Sequence, residues 1–176
     1  HTRDRRQRQM CIRDSDKTGP TMTITASNGM VIINDGSTTN NSSLSLTLIS
    51  SETTSNFAVG DITVSGGSVS SFSGSGTTYY ATFTPSASGA TTIDVAGSTF
   101  TDAAGNNNSA ASQFNWTYDG TLPTITGVSL ASDNSTIAVT FSEAVYNTAG
   151  GSGSLQTSDF VLSLIHISEP TRPLTI

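Results

Sequence analysis

Residues 16–21 read DKTGPT and residues 119–124 read DGTLPT, 103 positions later, and each copy opens a run of alternating apolar and small polar residues. A duplicated opening at that spacing constrains this 176-residue chain more than any other feature, because it must hold one unit of about 100 residues and the start of another. The correspondence continues past the opening. Residues 137–143 (IAVTFSE) match 46–52 (LTLISSE), placing Glu143 on Glu52, and residues 155–162 (LQTSDFVL) match 57–64 (FAVGDITV), placing Asp159 on Asp61. The offset grows from 91 to 98 between these segments, and the Gly/Ser-rich stretch 150–154 absorbs the difference as a loop insertion. The second copy carries only about its first three strands, so it lacks most of a partner sheet and is expected to fold poorly alone.

Period-2 alternation dominates, and no segment reads as a helix. Strands are expected at residues 21–25, with Met22 and Ile24 on one face, and at 43–50, with Leu44, Leu46 and Leu48 inward. Others follow at 61–64, 68–72, 78–84 (Tyr79, Ala81 and Phe83 on one face, Pro85 stopping the run), 91–95 (Ile93 and Val95 inward) and 113–118. In the last of these Phe114, Trp116 and Tyr118 align, and Trp116, the only tryptophan, reads as a core anchor between two sheets. Asn28-Gly29 and Asp35-Gly36 supply the positive φ angles of tight turns. Seven or so short strands, without helical crossovers to join parallel ones, select an antiparallel, immunoglobulin-like β-sandwich followed by a truncated second sandwich.

Charge separates the ends from the middle. All six arginines, Cys11, His1 and His166 lie in the terminal segments, whereas residues 16–163 hold one lysine, Lys17, against ten carboxylates, a formal charge of −9. That acidity argues against a nucleic-acid partner, which needs basic contacts. The middle also lacks the histidine, cysteine and arginine on which nucleophilic triads and thiolate metal sites depend, so it is read as no enzyme. Its longest apolar run, residues 30–33, is far short of the roughly 20 residues needed to cross a bilayer as a helix. The head HTRDRRQRQMCIRDS and the tail LSLIHISEPTRPLTI resemble translated sequencing-adapter DNA in metagenomic assemblies and are set aside as artefacts. The expected organisation is therefore an artefactual tail at 1–15, a domain at 16–118, a partial domain at 119–163 and a second tail at 164–176.

Several segments in order carry a family likeness: Ser51-Glu52, FAVGDITV (57–64), YYATFTP (79–85), FTDAAGN (100–106) and WTYDGTLP (116–123). Together they resemble a bacterial Ig-like domain of the kind strung in tandem through large secreted or surface-attached, adhesin-type proteins. The likeness spans about 16–163. It implies an extracellular or cell-surface spacer or adhesion module, without catalysis, whose partners are neighbouring Ig-like repeats of the same chain and a cell-surface or polysaccharide ligand. The competing reading is a carbohydrate- or protein-binding accessory domain of a secreted hydrolase, which would require Tyr79, Trp116 and Tyr118 to be exposed.

A calcium site is the sharpest chemical expectation. Asp102, Asn106, Asp119 and Glu52 offer hard oxygen donors, the loop 102–108 (DAAGNNN) has suitable ligand chemistry, and Asp119 begins the linker to the second copy. Against this, Asp and Asn most often cap turns through their own backbone, and the spacing does not match an EF-hand loop. Glu52 and Glu143 read more simply as solvated strand ends, and Asp61 and Asp159 as acceptors of backbone N–H bonds where a strand begins.

Overall fold

The structure, a computed structural model, describes residues 16–148 and 151–161; both adapter-like ends, with Leu162 and Ser163, lie outside the described residues. The chain divides into two compact units between Thr121 and Leu122.

Among the described residues, unit 1 holds eight strands: β1 (Met22–Ser27), β2 (Ile32–Ile33), β3 (Ser37–Thr39), β4 (Leu44–Thr54), β5 (Ile62–Ser65), β6 (Gly67–Pro85), β7 (Gly89–Val95) and β8 (Phe114–Tyr118). They form two four-stranded sheets, β2-β1-β4-β6 and β3-β8-β7-β5. Alternation decides which face is covered. Leu44, Leu46 and Leu48 of β4 are at most 1% exposed and sit opposite Phe83, Ala81 and Tyr79 of β6, all buried. From the second sheet Ile93, Val95, Phe114 and Trp116 close the core, with Ile93 opposite Phe114 across the β7–β8 ladder. Trp116 is 1% exposed; its indole N–H donates to Thr39 Oγ1 (3.0 Å), and the buried Thr91 hydroxyl donates to the Trp116 carbonyl (2.8 Å). Phe83 meets its ring edge-on at 6.1 Å. The indole N–H and the carbonyl of this central residue are thus satisfied inside the core, as burial demands.

Three features depart from the sequence expectation. β2 and β3 are two and three residues long, too short to register as alternation. β3 runs parallel to β8 (Ser37 opposite Trp116), so one pairing breaks the antiparallel rule; after Ile33 the chain turns through Gly36 (φ 78°) and crosses to the other sheet instead of reversing within its own. Residues 67–85, expected as two strands, form the single extended element β6, but this element is not straight. A Cβ on Gly67 would collide with the Thr84 carbonyl and the Phe83 ring, and one on Gly74 with the Thr78 carbonyl. Positions 17 residues apart cannot touch along a strand rising about 3.3 Å per residue, so β6 doubles back near Gly76 (φ 70°). The two expected strands are its two arms.

One end of unit 1 is closed by residues 96–113, between β7 and β8. Asn108, 4% exposed, organises this loop: its Oδ1 accepts the backbone N–H groups of Thr99 (2.8 Å) and Phe100 (3.0 Å), and its Nδ2 donates to the carbonyls of Ala96 (2.8 Å) and Ser109 (2.9 Å). Phe100, so held, packs edge-on against Phe57 at 5.0 Å.

Unit 2 contains β9 (Ile125–Leu130) and β10 (Ile137–Phe141) paired as a two-stranded sheet, and a 3-10 turn at Thr157–Asp159. Its local bonding repeats that of unit 1. Thr124 and Ser142 exchange the same backbone and hydroxyl bonds as Thr21 and Ser51. Asp159 Oδ2 accepts the Gln156 N–H at 2.8 Å, as Asp61 Oδ2 accepts that of Ala58 at 2.8 Å. Burial does not repeat: Ile137, at the position of Leu46, is 45% exposed.

Candidate functional site

Three carboxylates separated by dozens of residues meet at the end of unit 1 that the 96–113 loop closes. Asp16 arrives from the segment ahead of β1, Glu52 from the last third of β4, and Asp102 from the loop, which an isolated bridge between Thr54 and Asp102 ties to the end of β4. Carboxylate oxygens of Asp16, Glu52 and Asp102 lie within 4.8 Å of one another. Each residue has a local reason for its place. Asp16 turns its own backbone, with Oδ1 accepting the Thr18 N–H at 3.0 Å. Glu52 continues the inward alternation of Leu44, Leu46 and Leu48 one pleat beyond Ser50. Asp102 is 6% exposed and closes a tight loop, with its Oδ1 accepting the Asn106 N–H (2.8 Å) and its Oδ2 the Asn106 side-chain amide (2.7 Å).

These surroundings push two carboxyls in opposite directions. The hydrogen bond from the Asn106 side chain, helped by backbone N–H groups and opposed by burial, holds Asp102 below the usual aspartate value. Desolvation first, then the neighbouring charges of Asp16 and Asp102, push Glu52 up. Glu52 is therefore half-buried and electrostatically crowded, where the sequence suggested a solvated strand end.

The four residues expected to ligate calcium are not all brought together. Glu52 and Asp102 converge, and Asn106 lies beside them, but its amide nitrogen faces the cluster, donating to Asp102 and to the Asp16 carbonyl (3.2 Å). Asn106 thus orients Asp102 with its donor, whereas a calcium ligand must offer an oxygen. Asp119 is elsewhere. It follows β8, whose last residue Tyr118 pairs with Gly89 at the start of β7, while the 96–113 loop leaves the other end of that seven-residue strand. At about 3.3 Å per residue the strand separates Asp119 from Asp102 by roughly 20 Å. There Asp119 Oδ1 accepts the Thr121 N–H at 3.1 Å, the turn that Asp16 makes at its own position. Asp16 was missed in the sequence, although the repeat pairs it with Asp119, because its proximity to Glu52 and Asp102 depends on the β1–β4 register.

The aromatic side chains that a ligand-binding face would need are largely spent on the core. Tyr79 is 3% exposed with its hydroxyl donating to the Thr54 carbonyl (3.1 Å), Trp116 is buried, and Tyr118 is half-buried against it at a ring separation of 5.8 Å.

No curated protein and no solved structure matches the chain. The sandwich, its paired sheets around Trp116 and the order of its motifs agree with one family, the bacterial Ig-like domain, which residues 16–118 match and to which the chain belongs.

Proposed function

We propose that the chain is a non-catalytic structural and adhesive module, a spacer or stalk segment of a large bacterial surface or secreted protein. Domains of this family are generally non-catalytic and commonly occur in such proteins. The observation that carries the spacer over the competing accessory binding domain is the burial of Tyr79 and Trp116: a carbohydrate platform stacks sugars on exposed rings, and these rings fill the core. No helix among the described residues is long and apolar enough to cross a membrane. Affinity electrophoresis of the chain through gels containing soluble xylan, mannan or a β-glucan tests the choice. Unchanged mobility agrees with a spacer, and retardation by any one of these polymers gives the site to a binding domain.

Calcium is a separate part of this reading, supported by the convergence of the Asp16, Glu52 and Asp102 carboxylates. Three carboxylates fall short of the six to eight oxygens that calcium takes, and the spacer reading does not rest on an ion. A melting temperature that rises with calcium and falls back with chelator adds the ion to the module; an unchanged one removes it.

A further inference from the structure

Asn28-Gly29 is the one place in this chain where an asparagine precedes a glycine. The pair lies in the turn between β1 and β2, and both residues are exposed. A glycine presents its peptide nitrogen without a side chain to shield it, and here a Cβ built on Gly29, whose φ is 89°, would meet nothing within 4 Å. The Asn28 carboxamide folds back alongside that nitrogen. Its Oδ1 accepts the backbone N–H groups of Met30 (3.1 Å) and Val31 (2.9 Å), while the Gly29 N–H is held only loosely, toward Ser27 Oγ at 3.4 Å. Two N–H groups aimed at a carbonyl oxygen stabilise the negative charge that gathers on it when a nucleophile attacks the carbon.

We infer that Asn28 is a self-modifying site, at which the folded chain converts its own asparagine to isoaspartate and aspartate with water as the co-reactant. The Gly29 nitrogen attacks Asn28 Cγ and gives its proton to solvent; the bond from Cγ to the carboxamide nitrogen breaks, and ammonia leaves behind a cyclic succinimide. Water then adds to either ring carbonyl. Opening on one side gives aspartate, and on the other isoaspartate, whose main chain runs through the former side chain and is longer by a methylene. Nothing is oxidised or reduced.

The fold singles out this site from its chemical relatives. Asp35-Gly36 has the same glycine, but the Gly36 N–H is committed to the Asn115 carbonyl (2.8 Å) and the Asp35 carboxylate to the Asn115 N–H (2.6 Å) and side-chain amide (3.2 Å). Asn108 is buried, with both ends of its amide bonded. The two products of Asn28 differ in consequence. Aspartate keeps an acceptor for Met30 and Val31. Isoaspartate lengthens the turn, which breaks the bond from the Asn28 N–H to the Val31 carbonyl (3.1 Å) and loosens the short ladder, Ala26 opposite Ile33 and Ser27 opposite Ile32, that pairs β2 with β1. Ile33 is a core residue, so the modification opens an edge of unit 1.

The test ages the full chain at mildly alkaline pH and follows Asn28 by digestion and mass spectrometry, with a synthetic peptide of residues 25–32 (TASNGMVI) as the reference. Asn28 in the folded chain should convert within a few-fold of the rate in the free peptide, and several-fold faster than Asn41 and Asn134, which precede serines. Isoaspartate should exceed aspartate, and amides of Ile32 and Ile33 should lose protection from hydrogen exchange as it accumulates. Asn28→Asp, which has the charge without the longer main chain, should keep that protection; Asn28→Gln, whose side chain must close a larger ring, should stay intact. The inference is overturned if the folded chain leaves Asn28 unchanged while the peptide converts, or if other asparagines convert as fast. It is also overturned if aspartate forms alone, because direct hydrolysis needs no attack by Gly29.

Discussion

Units 1 and 2 make the same local bonds and differ in what covers them. The Asp159 turn copies the Asp61 turn, and the Thr124–Ser142 exchange copies Thr21–Ser51. Yet Ile62, next after the first turn, is 8% exposed and Phe160, next after the second, is 39% exposed. Turn and ladder chemistry is written within a few residues and survives without a core; burial requires a second sheet. Hydrogen bonds exchanged against water contribute little net stability each, whereas covered apolar area contributes most of it, so unit 1 is expected to unfold cooperatively and unit 2 to open at low cost.

The strongest way to break that comparison is to remove the centre of unit 1. Trp116→Ala deletes the ring that Phe83 packs against and orphans the Thr39 hydroxyl. It should cost about 3–5 kcal/mol, a large part of the stability of an ordinary domain, and chemical denaturation should show unit 1 largely unfolded or its midpoint sharply lowered. Val139→Ala in β10 should leave the same transition where it was. An equal loss from both would mean that the units share one core.

Asn108→Ala comes next. It strips the acceptor from the N–H groups of Thr99 and of the buried Phe100 and donors from the Ala96 and Ser109 carbonyls, and should cost about 2 kcal/mol. Asn108→Asp, which keeps the acceptor and loses the donor, should fall between. Hydrogen exchange in the 96–113 loop should quicken in both variants, while amides of β9 and β10 keep their rates.

What the sequence disclosed follows the same division. Leu44, Leu46 and Leu48, or Phe114 and Trp116, announce a covered face because period 2 is local, and these residues are buried as read. The two arms of β6 were legible from alternation, as strands at 68–72 and 78–84. The parallel β3–β8 pair was not, since three residues of Ser and Thr carry no pattern and the pairing spans about eighty positions. Two of the three converging carboxylates were legible too. Glu52 and Asp102 were named for their chemistry, but Asp16 joins them only through sheet register, and Asp119 was included because nearness to the linker in sequence was taken for nearness in space.

A smaller effect sharpens the comparison at matched positions. Asp61→Ala should cost about 1 kcal/mol, the usual worth of a capping carboxylate, because opening its turn also loosens the buried Ile62. Asp159→Ala removes the same bond at the same 2.8 Å and should leave the global transition unchanged, with faster exchange confined to residues 156–160. If both shift the denaturation midpoint alike, unit 2 has a core of its own.

The smallest expected effect is a pH dependence that belongs to unit 1 alone. Glu52 titrates above its ordinary value of 4.5 in the fold, so the native state holds that proton more tightly than the unfolded chain; stability should therefore rise as pH falls from neutrality toward about 4.5. Asp102 titrates below 3.8, so its contribution is present above that value and is lost as pH falls further through its folded pKa. The melting temperature should accordingly pass through a maximum on the acid side of neutrality. Glu52→Gln removes the crowded charge and should raise the melting temperature at pH 7 while flattening the upper limb; Asp102→Asn should flatten the lower limb and weaken the loop. Asp133 in unit 2 is also held low, by the Ser135 hydroxyl (2.6 Å), but that bond spans two residues of an exposed turn and anchors no core. Asp133→Ala should leave the pH profile unchanged, so the profile reads the convergence of Asp16, Glu52 and Asp102 specifically, and a flat wild-type curve would show that these carboxylates do not crowd one another in solution.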